Sequence, residues 1–165
     1  MPLALKVSSL RIHEIWISAG HDFKGRYGQS RLHYDIIPCE HIECHAGRGL
    51  VGDRFYDYNP DFKGQVTFFD FSVAVQLQRE FKLPSIDCSA FRRNLLVSGF
   101  DLNHLIGETF AIDGVTFSGS EECAPCFWMD EAICSGAFEW LKGRGGLRAR
   151  ILTDGVIYRD PAAFC

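Results

Sequence analysis

No apolar run in this chain approaches the ~20 residues needed to cross a bilayer, which excludes a spanning helix. The N-terminus, Met1-Pro2-Leu3-Ala4-Leu5-Lys6, lacks the charged region, long apolar stretch and cleavage site of a secretory signal. A basic excess is missing too. The formal charge is −4, which argues against a general nucleic-acid binder, whose footprint is strongly positive. Repeats, low-complexity tracts and linker-like segments are absent, so no domain boundary is placed and residues 1–165 are expected to form a single domain. The six histidines, His13, His21, His33, His41, His45 and His104, form no H-x-x-x-H helix pair, since His41 and His45 fall in a segment that reads as strand, and are expected to be structural or surface residues.

What is present is core material. The chain is 47% hydrophobic, with 14 phenylalanines and three tryptophans, and at this length a domain buries roughly 70% of its unfolded surface. Seven cysteines cannot all pair internally. With no export signal, reduced thiols in a cytoplasm are expected. Cys39, Cys44, Cys88, Cys134 and Cys165 are expected to behave as small hydrophobes or surface thiols.

Strand signals dominate. Leu10 to Ile17 reads as an opening strand with one irregular step, Ile36 to His45 as another, and Val66-Thr67-Phe68-Phe69 as a buried one. Two Asp-Gly pairs, Asp113-Gly114 and Asp154-Gly155, sit between apolar runs and predict two-residue hairpins. Helix is the minority. Asp70 or Ser72 can cap a helix to about Phe81 with Val73, Leu77 and Phe81 on one face, and Pro84 beyond it as a stop. A second short helix is predicted from Asp130 or Ser135 to Leu141, ended by Gly143. This pattern predicts a mainly β protein, a closed or partly closed antiparallel barrel with a few short helices.

The most informative stretch is Glu122-Cys123-Ala124-Pro125-Cys126-Phe127-Trp128, followed by Arg144-Gly145-Gly146-Leu147-Arg148-Ala149-Arg150. Thiolate is the ligand that soft metals select, and arginine the partner that phosphate selects. The Cys123/Cys126 spacing admits several chemistries. A structural zinc site needs two more ligands from Cys39, His41, Cys44 and His45, yet His41 and Cys44 point to opposite faces of a strand. A thioredoxin-like pair belongs near a βαβ unit, which the tail after Cys126 does not predict. A single thiolate with the second thiol as neighbour remains, as does a pair of buried, unreactive cysteines.

Three further segments carry anion-binding character. Gly49-Leu50-Val51-Gly52-Asp53-Arg54 is either a structural loop or a turn whose glycines let backbone approach a ligand, with Asp53 orienting Arg54 or capping the turn. Phe91-Arg92-Arg93-Asn94 stands at a strand entrance, its arginines either a solvated charge pair or ligand contacts. Gly143 to Gly146 with Arg144 and Arg148 offers backbone N–H groups and guanidinium, the makings of an anion nest. On a strand, Arg148 and Arg150 share one face and Leu147, Ala149 and Ile151 the other. Lys24-Gly25-Arg26-Tyr27-Gly28 is a polar early loop, a connection or a cover for a site.

In this order the segments resemble the MOSC domain, the module named for the C-terminal part of molybdenum cofactor sulfurases. The resemblance rests on Gly47 to Arg54, Gly64-Gln65-Val66-Thr67, Phe91 to Leu102, Leu105-Ile106-Gly107, Cys123 to Cys126 and Arg144 to Ala149. It covers about residues 8 to 158. It implies a mostly β-barrel fold and binding of a pterin-type molybdenum cofactor (Mo-molybdopterin). In the amidoxime-reducing branch, the position of Cys126 ligates the metal, and those of Arg92 and Asn94 lie by the pterin and its phosphate. Arg54, Arg144 and Arg148 join them on charge, and Cys123 stands as the companion thiol. The resemblance then implies a reductase of N-hydroxylated small molecules, served by an external electron-donor reductase. The alternatives are a sulfur carrier with a persulfide on Cys126, loaded by a sulfur donor protein, and a non-catalytic cofactor-binding module. The pyridoxal-phosphate domain of full sulfurases and an appended iron–sulfur or flavin domain are not expected. Nucleic acid and membrane are not expected as partners.

Overall fold

The computed structural model describes residues 3–22 and 28–162. Most of the early polar loop, Lys24 to Tyr27, lies outside the described residues, as does Cys165. In chain order the strands begin with β1 (Leu5–Lys6), β2 (Arg11–Ile17), β3 (Ile37–Cys39), β4 (His41–His45) and β5 (Gly49–Leu50). Then come β6 (Val66–Asp70), helix α1 (Phe71–Glu80), a 3-10 turn at Cys88–Phe91, and β7 (Leu95–Ser98). After a second 3-10 turn at Leu102–Leu105 follow β8 (Thr109–Ile112) and β9 (Val115–Glu122). The chain ends with α2 (Met129–Ala132), α3 (Ala137–Leu141), β10 (Leu147–Ile151) and β11 (Gly155–Tyr158).

Among the described residues these strands make two sheets, one in the order β1-β8-β9-β10-β6-β7-β2-β3 and a smaller one in the order β11-β4-β5. The protein is mainly β, but the antiparallel barrel expected from the sequence is not what forms. The large sheet is mixed, with β1/β8 and β6/β7 parallel, and it stays open between β1 and β3. The reason lies in α1 and the turn after it. They supply the long crossover that a parallel pair requires, so β6 and β7 are joined as a β-α-β unit.

Those two strands form the structural spine. Phe68, Leu95 and Val97 enter one core cluster, while Phe69 and Leu96 enter a second on the opposite face with Phe91, Met129 and Leu141. Burial on both faces explains why these segments read as unbroken apolar runs. Helix α1 starts where Asp70 caps it, its side chain accepting from the Ser72 N–H at 2.8 Å. The buried positions of α1 are Ala74 and Leu77; Val73 and Phe81 pack only partly buried against the same cluster.

The Asp113-Gly114 hairpin forms as predicted. Ile112 pairs with Val115, and φ is +51° and +80° at the two turn residues, the geometry of a type I′ turn. The second hairpin does not form, because β10 and β11 lie in different sheets. Asp154 instead accepts from the Ala46 N–H at 2.7 Å, and β11 pairs with β4, Ile157 opposite Ile42. The long strand expected over Ile36 to His45 breaks at Glu40 into β3 and β4, again in separate sheets. The irregular step in β2 is a register shift between Ile12 and Glu14 against β7. No helix among the described residues is long and apolar enough to cross a membrane.

Candidate functional site

A cavity of about 560 Å³ opens where the end of β9, the start of α2, the entrance of β7 and the turn before β6 converge. Its polar wall carries four arginines, Arg54, Arg92, Arg93 and Arg148, with the carboxylate of Asp22. Both Cys123 and Cys126 line it, and Phe55, Phe62, Phe91, Phe127 and Trp128 form an aromatic wall.

Arg92 and Arg93 follow the 3-10 turn Cys88–Phe91, which is capped by the Asp87 carboxylate accepting from Ser89 N–H at 3.0 Å. Arg92 itself takes left-handed backbone, φ +58°, a costly conformation for a side chain with a Cβ. The kink leaves its side chain 6% exposed. Nη2 donates to Ser18 Oγ at 3.1 Å and to the Gly20 carbonyl at 3.0 Å, and Nη1 lies 3.2 Å from Asp22 Oδ2. Burial would raise the Asp22 carboxyl. The Tyr34 N–H bond, Arg31 and Arg92 outweigh that and hold its pKa below the usual carboxylate range.

Arg54 lies beside Arg92 with its side chain 9% exposed. Its Nη1 lies 3.3 Å from Asp53 and its Nη2 donates to the Arg92 carbonyl at 3.1 Å. Asp53 is in turn fixed by the N–H groups of Ser18 and Phe55, so it both contacts Arg54 and caps the turn at Phe55. Burial lowers the pKa of both guanidinium groups, with the carboxylates opposing and the neighbouring arginines adding to it. Arg54 Nε is buried without a hydrogen-bond partner, an expensive state for a charged donor, and Arg92 Nη1 makes no hydrogen bond beyond its ion pair with Asp22.

Asn94 is buried to 1% exposure and does not reach the lining. Its Oδ1 accepts from both Thr67 N–H and Thr67 Oγ1 at 3.0 Å, and Nδ2 donates to the Trp16 carbonyl at 3.2 Å. It acts on the cavity through Thr67, which does line it. Arg148 projects from the wet side of β10 and pairs with Glu121 at 3.4 Å. Arg150, on the same face, is held by Asp61 at 2.7 Å and stays outside the lining. Arg144 is exposed, stacked 4.1 Å over the Trp140 ring, and also outside it.

The glycines beside Arg144 serve a purpose other than the expected anion nest. The Gly145 N–H donates to Glu122 Oε2 at 3.0 Å, and the Gly146 carbonyl accepts from Cys123 N–H at 2.8 Å. A Cβ on Gly145 would sit 2.2 Å from the Cys123 carbonyl oxygen, and one on Gly146 2.0 Å from that of Phe68. These residues are small because the cysteine loop and β6 lie directly against them. Cys123 is buried and Cys126 half-buried, and the Cys126 carbonyl accepts from Met129 N–H at 3.0 Å as α2 begins.

Arg93 holds this loop from behind. It donates from Nε to Gly145 O at 3.0 Å, from Nη1 to Phe91 O at 2.8 Å and from Nη2 to Cys123 O at 2.9 Å. Sequence reasoning placed Arg93 in the motif without a role. It also missed Asp22, and it treated His21, which lines the cavity, as structural or surface. Their only signal was proximity to the polar early loop. Among the described residues no group of three or more His, Cys, Asp or Glu is arranged to hold a metal ion. The zinc alternative therefore has no second ligand pair, and Cys44 points into the core with its thiol pushed by burial up to about 12.

The fold is shared with solved structures of low identity. The YuaD protein of Bacillus subtilis is 16% identical with a TM-score of 0.68, over 90% of this chain and 91% of that one. YiiM of Escherichia coli is 16% identical with a TM-score of 0.63, over 91% of this chain and 66% of that one. YiiM of Geobacillus stearothermophilus is 14% identical with a TM-score of 0.64, over 90% and 71%. None of the curated proteins matches the chain. The description "MOSC domain" does match, over residues 53–160, a span that holds Arg54, Thr67, both arginines after Phe91, the two cavity cysteines and Arg148, and this chain belongs to the MOSC domain family.

Proposed function

We propose that the cavity binds a pterin-type molybdenum cofactor, with the Cys126 thiolate as the protein ligand to its metal, and that the loaded protein reduces N-hydroxylated small molecules. One observation carries the reading. A half-buried thiol and four arginines share one cavity in a chain whose net charge is −4. The donor set fits the group. Thiolate suits a soft metal, and the buried Arg54 Nε, which has no hydrogen-bond partner, suits a ligand that brings oxyanions. The family's association with the cofactor supports the same assignment.

In this reading Arg92, Arg54 and Arg148 hold the phosphate end, and Asn94 keeps Thr67 in place on the wall. Arg144 contributes only to the surrounding charge. When bound, the cofactor supplies two-electron oxygen-transfer chemistry at its metal, with electrons from an external reductase. The protein's own residues bind, orient and shield. The aromatic wall of Phe55, Phe62 and Trp128 receives the apolar body of the substrate and keeps water from it.

The test is elemental and pterin analysis of protein made in a host that synthesises the cofactor. Molybdenum and pterin near one per chain are expected, with reduction of an N-hydroxylated compound using an artificial electron donor. Cys126→Ala should fold and lose both. Full metal content and turnover in that variant would end the reading. A mass gain of one sulfur on Cys126 without molybdenum would replace it with the sulfur carrier.

A further inference from the structure

We infer that Arg93 is the positioning residue of this site: it fixes the Cys123–Cys126 loop through backbone carbonyls and leaves its own positive charge uncompensated at the cavity wall. The inference rests on reading the cavity as a cofactor site, and deepens it. Three of the four cavity arginines face a carboxylate, Arg54 with Asp53, Arg92 with Asp22 and Arg148 with Glu121. Arg93 differs. Among the described residues its guanidinium is satisfied by the carbonyls of Phe91, Cys123 and Gly145 alone. Carbonyl oxygens align a guanidinium without neutralising it, so its unit charge stays available to an anion in the cavity.

Two of these bonds, to Cys123 and Gly145, join segments far apart in sequence, while the third closes on neighbouring Phe91. Phe91 ends the 3-10 turn, Cys123 follows β9, and Gly145 precedes β10. Gly145 lies so close to Cys123 and Pro125 that a Cβ there would meet the Cys123 carbonyl at 2.2 Å and the Pro125 ring at 2.9 Å. The thiol loop is thus pressed on Gly145 from one side and tied by Arg93 from another. A planar fork reaching three oxygens in different directions is a task for arginine. Lysine keeps the charge but cannot reproduce the fork.

Two variants separate these roles, Arg93→Lys and Arg93→Gln, each studied as full-length protein freed of any cofactor. Amide hydrogen exchange should rise by about tenfold or more across residues 123–129 in both variants, the loss of a charge-assisted hydrogen bond to the loop. Exchange in β6 and β7 should stay near wild type. Inorganic phosphate, used as the anion probe, should bind about three- to tenfold more weakly to Arg93→Gln and within about twofold of wild type to Arg93→Lys. Exchange that is unchanged in the loop, or raised equally throughout the sheet, overturns the positioning role. Full loop protection in Arg93→Lys does so too. Equal phosphate affinity in all three proteins, or none in wild type, overturns the charge role. None of these readouts needs molybdenum, so a wild-type protein without metal defeats the proposed function while leaving the role of Arg93 to be decided separately.

Discussion

Gly145→Ala tests whether the cysteine loop is seated as described. The φ of Gly145 lies outside the left-handed region, so alanine suffers no backbone strain there. The obstacle is contact alone: the new methyl would lie 2.2 Å from the Cys123 carbonyl oxygen and 3.1 Å from Pro125 N. Relief requires the loop or β10's entrance to move by about 1 Å, and overpacking of this kind costs roughly 2 kcal/mol. For a domain of this size that lowers Tm by roughly 4–8 °C. Gly143→Ala is the natural control, because its Cβ meets nothing within 4 Å although φ is +80°. It should cost only about 1 kcal/mol of left-handed strain. Thermal unfolding of both variants, with the rate of Cys126 alkylation by iodoacetamide in the native state, reads the difference. Gly145→Ala should be the less stable and should change the alkylation rate, while Gly143→Ala should leave that rate alone. The reasoning fails if Gly145→Ala is as stable as Gly143→Ala with Cys126 unaltered.

Asn94→Ala should cost about 2–4 kcal/mol, since it strands the buried Thr67 N–H and the Trp16 carbonyl, each worth about 1–3 kcal/mol when left unpaired; an unchanged urea midpoint would contradict this. Asp22 has a folded pKa held below the usual range, so its contribution is complete above its unfolded value of about 3.9 and is lost as pH falls through the folded value. The stability gap between wild type and Asp22→Asn in urea should therefore be wide at pH 6 and close below about pH 4; a gap that ignores pH counts against the buried pair with Arg92. Cys44, raised to about 12, should resist iodoacetamide at pH 8 until the protein unfolds, while half-buried Cys126 reacts in the native state, as peptide mass mapping would show.

Local chemistry was legible wherever one segment decides its own conformation. Asp113-Gly114 makes its hairpin because the turn residues alone accept positive φ, and Asp70 caps α1 with its own side chain. The same reasoning failed at Asp154-Gly155, where Asp154 is drawn to Ala46, more than one hundred residues away in sequence. It also missed the parallel β6/β7 pair, since an apolar run buried on both faces carries no mark of its partner's direction.

The residue types of the site, thiols among glycines and arginines, were set by the sequence, because soft ligand and oxyanion-binding chemistry belong to side chains irrespective of fold. Which of them meet was settled only in three dimensions. Arg92, Arg93 and Cys126 reach one cavity, whereas Arg144 turns outward onto Trp140 and Asn94 is used up on Thr67 and Trp16. Long-range backbone packing made that selection, as a guanidinium buried beside distant carbonyls and carboxylates depends on groups that adjacent sequence does not contain.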